Sequence, residues 1–297
     1  MGKSISIVGS GLVGQATGKG LTTKGFDVTF IDIDPTVVSR LRGEGYRALE
    51  VYALQKLDAD VLMVSVPTYP LNWAENGLDF IKAASTSIGS WLSKISKYCL
   101  VVVRSTVLPG TTEEVIIPSL ERCSGKSAGR DFGICVNPDY LRERCAEEDF
   151  LNPWSIVIGE LDKNSGDLLQ EVYYWVSCPI YRMPVKEAEI QKFVHNLFNA
   201  TKISFFNEMR LVCQQLGLDC EEIFPVVAQS AEACWNPYYG TRDLGPFGGS
   251  CLPKDSAAFL SWAKEQGIET PLVQAVFKVN EAVKRRLESI VSKVSRS

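Results

Sequence analysis

The stretch Phe247-Gly248-Gly249-Ser250-Cys251-Leu252-Pro253-Lys254-Asp255 places a thiol, an ammonium and a carboxylate within five residues, directly after two glycines. A helix pattern follows from Ser256 to Gln266, with Gly267 placed as its stop. Pro253 suits a first-turn position, and a thiol just ahead of a helix N-terminus feels the positive end of the dipole. That setting lowers a cysteine pKa and favours the thiolate, which is the nucleophile. The same residues also read as a turn, a buried cysteine and Asp255 as an N-terminal cap, and the stretch alone supports both. Lys254 speaks for chemistry, because a cation at a helix N-terminus does nothing for helix stability.

A second constellation lies on a long helix. Lys186 to about Leu216 contains no breaker, and apolar residues at 190, 193, 194, 197 and 198 form a helical stripe. Lys192, Asn196 and Asn199 align on the opposite face. On an isolated helix such a polar stripe is most simply a solvated face. His195 flanks it and reads as a packed or surface residue.

The elements that must position these groups begin with Ser4–Val8, a β-branched run ending in Gly9-Ser10-Gly11-Leu12-Val13-Gly14. A helix pattern runs to Lys24 and Gly25, and a strand over Val28–Ile31 ends at Asp32, 18 residues after Gly14. Strand, GxGxxG, helix, strand, acid is the order of a dinucleotide site. Gly9 permits the tight turn, Gly11 the approach of a pyrophosphate to backbone, and Gly14 close packing of helix on strand, with the phosphates at the helix N-terminus flanked by Leu12 and Val13. Asp32 would accept hydrogen bonds from the adenosine ribose, which favours NAD over NADP. Further strands are predicted at Val61–Val66, Leu100–Val103, Phe132–Val136, Ile156–Ile158 and Pro179–Met183, alternating with helices. The fold class is therefore α/β, an N-terminal Rossmann-type doubly wound parallel sheet followed by an all-helical domain built on the long helix. The strand ends at Pro67-Thr68, Ser105-Thr106 and Asn137-Pro138-Asp139 are candidate site walls, though ordinary turn chemistry also accounts for each. Helices over Cys220–Ser230 and Pro271–Val294 bracket an aromatic, glycine-rich loop from Trp235 to Cys251. The domains divide as 1–184 and 185–297.

Composition narrows the function. The chain has 297 residues, suited to two domains, and a net charge of −4 that argues against nucleic acid or an anionic membrane as partner. Nine cysteines include no CxxC pair and stand beside one histidine, so no metal site is expected. Their odd number fits reduced thiols in a cytoplasmic protein, and no apolar run is long enough to span a membrane.

The motifs together resemble the UDP-glucose/GDP-mannose dehydrogenase family. The resemblance rests on GSGLVG, on VPT at Val66–Thr68, on STVLPGTTE at Ser105–Glu113 and on NPDYLRE at Asn137–Glu143. It continues through EAEIQKFVHNLFNATKISFFNEM at Glu187–Met209 and FGGSCLPKD at Phe247–Asp255. The resemblance implies oxidation of the C6 alcohol of a nucleotide-linked hexose to the acid, with two NAD reduced. By the same resemblance Cys251 is the nucleophile that forms a thiohemiacetal and then a thioester. Lys192 and Asn196 hold the substrate oxygen and stabilise the oxyanion. Asp255 activates the hydrolytic water, Thr106 helps position it, Glu143 is a further site carboxylate, and Lys254 gives electrostatic support. Thr68 and Thr106 flank the nicotinamide side of NAD. Asp139, Tyr140, Leu141, Tyr238, Phe247, Gly248 and Lys254 fall in substrate-binding segments, with Lys192 and Asn196. A homodimer through the long helix is also implied.

Four residues depart from the family pattern. Asp139 replaces a glutamate, Arg144 a glycine, and Ser155 and Tyr238 arginines, which leaves sugar and base undetermined. The family's third domain, expected after the last long helix, has no counterpart before Ser297, so weak nucleotide-sugar affinity and poor turnover are expected of this chain alone. Two other readings fit parts of the sequence. A two-domain β-hydroxyacid dehydrogenase shares the Lys-x-x-x-Asn pair but leaves FGGSCLPKD unexplained. A non-catalytic NAD-binding relative fits the missing domain but not the intact Cys251, Lys192, Asn196 and Asp255.

Overall fold

Val61–Val64 and Leu100–Val103 are four-residue runs with no polar side chain, and every residue in them is buried. Such runs belong inside a parallel sheet covered on both faces. The structure, a computed structural model, describes residues 3–68, 78–241, 245–249 and 252–294. It forms two compact units, 1–195 and 196–297.

In the first unit the order is β1 (Ser4–Val8), α1 (Leu12–Thr23), β2 (Asp27–Asp32), α2 (Pro35–Gly43), β3 (Arg47–Glu50), β4 (Val61–Val64), α3 (Asp79–Leu92) and β5 (Leu100–Val103). Then follow α4 (Ile117–Ser124), β6 (Gly133–Val136), α5 (Ala146–Leu151), β7 (Ile156–Glu160), α6 (Lys163–Val172), β8 (Ile180–Pro184) and the start of α7 (Val185–Leu216). The described strands form one sheet in the order β3-β2-β1-β4-β5-β6-β7-β8. All neighbours are parallel except β6 and β7, which pair antiparallel through Cys135–Glu160 and Val136–Gly159. Alternate residues of each strand feed two cores. Ile5, Ile7, Phe30 and Met63 pack with Leu21, Val38 and Leu169, while Leu62, Val64, Val101 and Val103 pack with Ile81, Ile88 and Trp91. The strand order reverses between β1 and β4, which opens a crevice at their carboxyl ends.

Three features depart from the expected pattern. β3 was not legible, since RALE has no β-branched residue and buries only Ala48. The sheet is not wholly parallel, because periodicity reports a strand and not its direction. The segment Thr112–Ile116, after β5, is a turn of π-helix leading into α4.

The second unit contains the rest of α7, then α8 (Cys220–Ser230), α9 (Glu232–Trp235), α10 (Leu252–Glu265) and α11 (Pro271–Val294). Its core joins Val212, Ala263 and Ile268 to Met209, Phe259 and Trp262. The Glu208 carboxylate accepts from the Leu272 and Val273 amides at 2.7 and 3.1 Å and so caps α11. α10 starts at Leu252, four residues before the expected start at Ser256, so Pro253, Lys254 and Asp255 all lie in its first turn. Proline's fixed φ is compatible with that turn. Asp255 is then a first-turn acid, and it pairs with Lys254 at 3.4 Å, both side chains exposed.

Candidate active site

The glycine turn is shaped by contacts that only glycine permits. Gly9 has φ +89°, and a Cβ there would sit 2.6 Å from the Ser65 carbonyl oxygen. At Gly14 a Cβ would lie 2.0 Å from the Gly9 carbonyl oxygen and 3.2 Å from Ile7. Gly14→Ala must therefore push α1 off the turn. We expect it to destabilise the protein by about 3 kcal/mol or more, at the high end of overpacking, as read by denaturant unfolding, and to weaken NAD binding in parallel. Gly11 is the opposite case, with no atom within 4 Å of its would-be Cβ. It is the N-cap of α1, with no side chain capping the helix, so first-turn N–H groups remain available to phosphate oxygens.

A cavity of about 810 Å³ occupies the β1–β4 crevice and is bordered by Gly9, Gly11, Leu12, Val13, Asp32, Thr68 and Thr106. Gly14 packs behind it. The Asp32 carboxylate accepts from the Ser10 amide at 2.6 Å through one oxygen and from the Asp34 amide at 2.9 Å through the other. Each oxygen keeps a lone pair for a ribose hydroxyl. Ile33, Val37, Val51 and Phe80 give the wall beside Asp32 an apolar character suited to a flat base. The Thr68 hydroxyl donates to the Thr106 carbonyl at 2.6 Å and the Ser105 hydroxyl to the Val66 carbonyl at 2.7 Å, which ties the two strand-end loops together. Open glycine cradle, uncapped helix and fixed acid fit NAD.

Next to this cavity lies a smaller hollow of about 90 Å³, whose border includes Tyr140, Leu141, Trp154, Gln191 and His195. Arg104 and Asp139 border both spaces. Lys192, on α7, is buried and donates to the Asp139 carbonyl, with its Nζ 3.9 Å from the Asp139 carboxylate and 5.1 Å from the centre of the Tyr140 ring. Burial holds its pKa below the usual lysine value. Asp139 pulls the other way, and Arg104 adds to the depression. The Tyr140 hydroxyl donates to Gln191, and burial pushes it up to about 12. Glu189, one turn before Lys192 and 2% exposed, accepts the Gly110 amide at 2.5 Å and the Thr112 amide at 2.9 Å. It fixes α7 to the loop that carries Thr106, and burial pushes its pKa up against those hydrogen bonds.

Sequence reasoning passed over Arg104, Glu189 and Gln191, and read His195 as a packed or surface residue. His195 packs against Tyr140 with ring centres 4.7 Å apart and planes tilted by 50°, and burial keeps its pKa low. Its position three residues after Lys192 was the available signal.

Other expected site residues lie elsewhere. Glu143 is exposed in a short 3-10 turn and borders a separate hollow beside α1, with Gln15, Arg40 and Arg144. Asn196, Tyr238, Phe247, Gly248, Lys254 and Asp255 belong to the second unit. There Asn196 is exposed and Tyr238 is 73% exposed, while the Phe247 carbonyl accepts from Asn280 at 3.2 Å. Cys251 lies outside the described residues. Among the described residues there is no group of side chains suited to a metal ion, and no helix is long and apolar enough to cross a membrane.

Residues 3–177 match the NAD-binding domain of the UDP-glucose/GDP-mannose dehydrogenase family, and residues 186–282 match its central domain. The chain is similar to GDP-mannose 6-dehydrogenase of Pseudomonas putida, with 37% identity over 94% of this chain and 68% of that one. It is also similar to UDP-glucose 6-dehydrogenase of Haloferax volcanii, with 33% identity over 95% of this chain and 70% of the relative. Among solved structures, a ternary complex of GDP-mannose dehydrogenase from Pseudomonas aeruginosa superposes with a TM-score of 0.90 at 34% identity, over 97% of this chain and 71% of that one. UDP-glucose dehydrogenase from Pyrobaculum islandicum gives 0.71 at 33% identity, over 95% and 68%.

Proposed function

The chain belongs to the UDP-glucose/GDP-mannose dehydrogenase family, and from that premise we propose that it oxidises the C6 alcohol of a UDP- or GDP-linked hexose to the uronic acid. It is an NAD-dependent dehydrogenase acting on a CH–OH group. The observation that carries the reading is the buried Lys192 ammonium, held on the Asp139 carbonyl where the cofactor cavity and the smaller hollow adjoin.

NAD, when bound, supplies the hydride acceptor for each of the two oxidations. The chain's residues do the rest. The first-turn amides of α1 and Asp32 hold the dinucleotide. Lys192, with Asn196, binds the reacting oxygen and stabilises negative charge on it. The Cys251 thiolate adds to the aldehyde carbon, which becomes tetrahedral as its carbonyl oxygen becomes an alkoxide. Loss of the second hydride from that carbon re-forms the C=O as a thioester. Water, positioned by Thr106 and activated by Asp255, then opens the thioester and frees the thiol. Asp139, Tyr140 and Leu141, which border the smaller hollow, are substrate-binding residues in this reading, as are Lys254, Tyr238, Phe247 and Gly248. Glu143 stays a candidate site carboxylate.

The test is incubation with NAD and a panel of UDP- and GDP-sugars, with the acids identified by mass spectrometry. GDP-mannose leads the panel because the GDP-mannose relatives reach 37% identity against 33% for the UDP-glucose relative. No acid from any member would sink the reading.

We further propose a homodimer through α7. Leu197 and Phe198, both in the expected apolar stripe, are each 62% exposed, and Leu211 on the same helix is 64% exposed. Light scattering at micromolar concentration should give twice the mass of 32.8 kDa; a monomer under the same conditions would contradict it.

A further inference from the structure

Arg104 follows the last residue of β5 and is 3% exposed. Its Nη1 donates to the Asn137 side-chain oxygen and, at 2.9 Å, to the Tyr173 hydroxyl, which itself donates to Asn137. Both partners are neutral. The carboxylates that share its hollow are engaged elsewhere, Asp149 by Arg142 and Asp139 by Lys192. Among the described residues its Nε is buried without a hydrogen-bond partner. A guanidinium buried against neutral groups costs stability, and an aliphatic side chain would fill a strand end more cheaply.

What Arg104 holds is specific. Asn137 is fixed at both ends, by Arg104 and Tyr173 on its oxygen and by donation to the Val157 carbonyl at 2.8 Å from its nitrogen. Asn137 opens the Asn-Pro-Asp segment after β6, and two residues on, the Asp139 carbonyl receives the Lys192 ammonium. We propose that Arg104 is a positioning residue for Lys192: it locks Asn137, Asn137 locks the segment to Asp139, and that segment sets where the ammonium stands. The inference rests on the reading of Lys192 as a catalytic group.

The guanidinium also acts on Lys192 through space. Lys192 faces the Asp139 carboxylate and the Tyr140 ring, with His195 one turn along its own helix and Arg104 the nearby like charge. Removing Arg104 leaves the Asp139 attraction less opposed, so the ammonium survives to higher pH. A residue that merely filled space would not have this effect.

The test is the pH profile of kcat for NADH formation in Arg104→Gln and Arg104→Lys. Arg104→Gln should lose about 10- to 100-fold in kcat with KM for NAD little changed, as expected when a reacting group is misplaced. Its alkaline limb should move to higher pH. Arg104→Lys restores the charge and should return the limb to the wild-type pH while recovering kcat only in part. Should Arg104→Gln not fold, Tyr173→Phe removes a neutral partner and keeps the charge, so kcat should fall with the limb unmoved. A folded Arg104→Gln with wild-type kcat and limb, or a Tyr173→Phe with wild-type kcat, overturns the proposal. Lys192→Met separates the two readings: if it stays active, the role of Lys192 fails, whereas an inactive Lys192→Met beside a normal Arg104→Gln removes only the role of Arg104.

Discussion

Cys251→Ala is expected to abolish formation of the acid, by about 10⁴-fold or more, while NAD binding measured by calorimetry stays at the wild-type level. The size of the loss follows from the chemistry. An aldehyde carbon is trigonal and a poor hydride donor, and without the thiol adduct the second oxidation has no tetrahedral carbon to act on. The proposed dinucleotide groups lie in the first unit, Gly9 and Gly11 in the turn between β1 and α1 and Asp32 at the end of β2, and Cys251 belongs to the second. The two functions therefore separate in the variant. An alanine variant that makes acid at the wild-type rate would remove the covalent step from the account.

Lys192→Met should cost about 10² to 10³ in kcat, the range seen when a preorganised donor to a developing oxyanion is removed. Methionine keeps the volume of the buried stem and deletes the charge, so lost activity is not confused with a cavity. The pH dependence has a definite sign. Burial lowers the pKa of Lys192, so the ammonium is lost earlier on the alkaline side than at the ordinary value of 10.5. Wild-type kcat should therefore fall on raising the pH before an exposed lysine would titrate, and the residual activity of Lys192→Met should lack that limb. If the limb persists in the variant, it belongs to another group.

Much of the first unit was legible because its signals are local. GSGLVG between two β-branched runs fixes β1, α1 and β2, and Gly14 packs against Gly9 and Ile7 as a close-packing glycine should. α8 and α11 span the expected residues, since Asp219 caps one through the Glu221 amide and Pro271 opens the other. What escaped was non-local. Glu189 and Arg104 look like ordinary charges in the sequence, and their meaning lies in partners 77 and 33 residues away. The apolar stripe of α7 was read correctly as a stripe, yet periodicity says nothing of what covers it, and Leu197 and Phe198 are exposed in this chain. The start of α10 was placed at Ser256 although Pro253 suits a first turn, and the pairing of Lys254 with Asp255 is a contact between side chains.

The central claim is a two-step oxidation at one carbon. Its most direct test is to count NADH formed per acid released, by absorbance and mass spectrometry on the same reaction with a nucleotide sugar and NAD. Two NADH per uronic acid, with no free aldehyde accumulating, is the predicted result. One NADH per product, with a carbonyl compound as the end point, would contradict it.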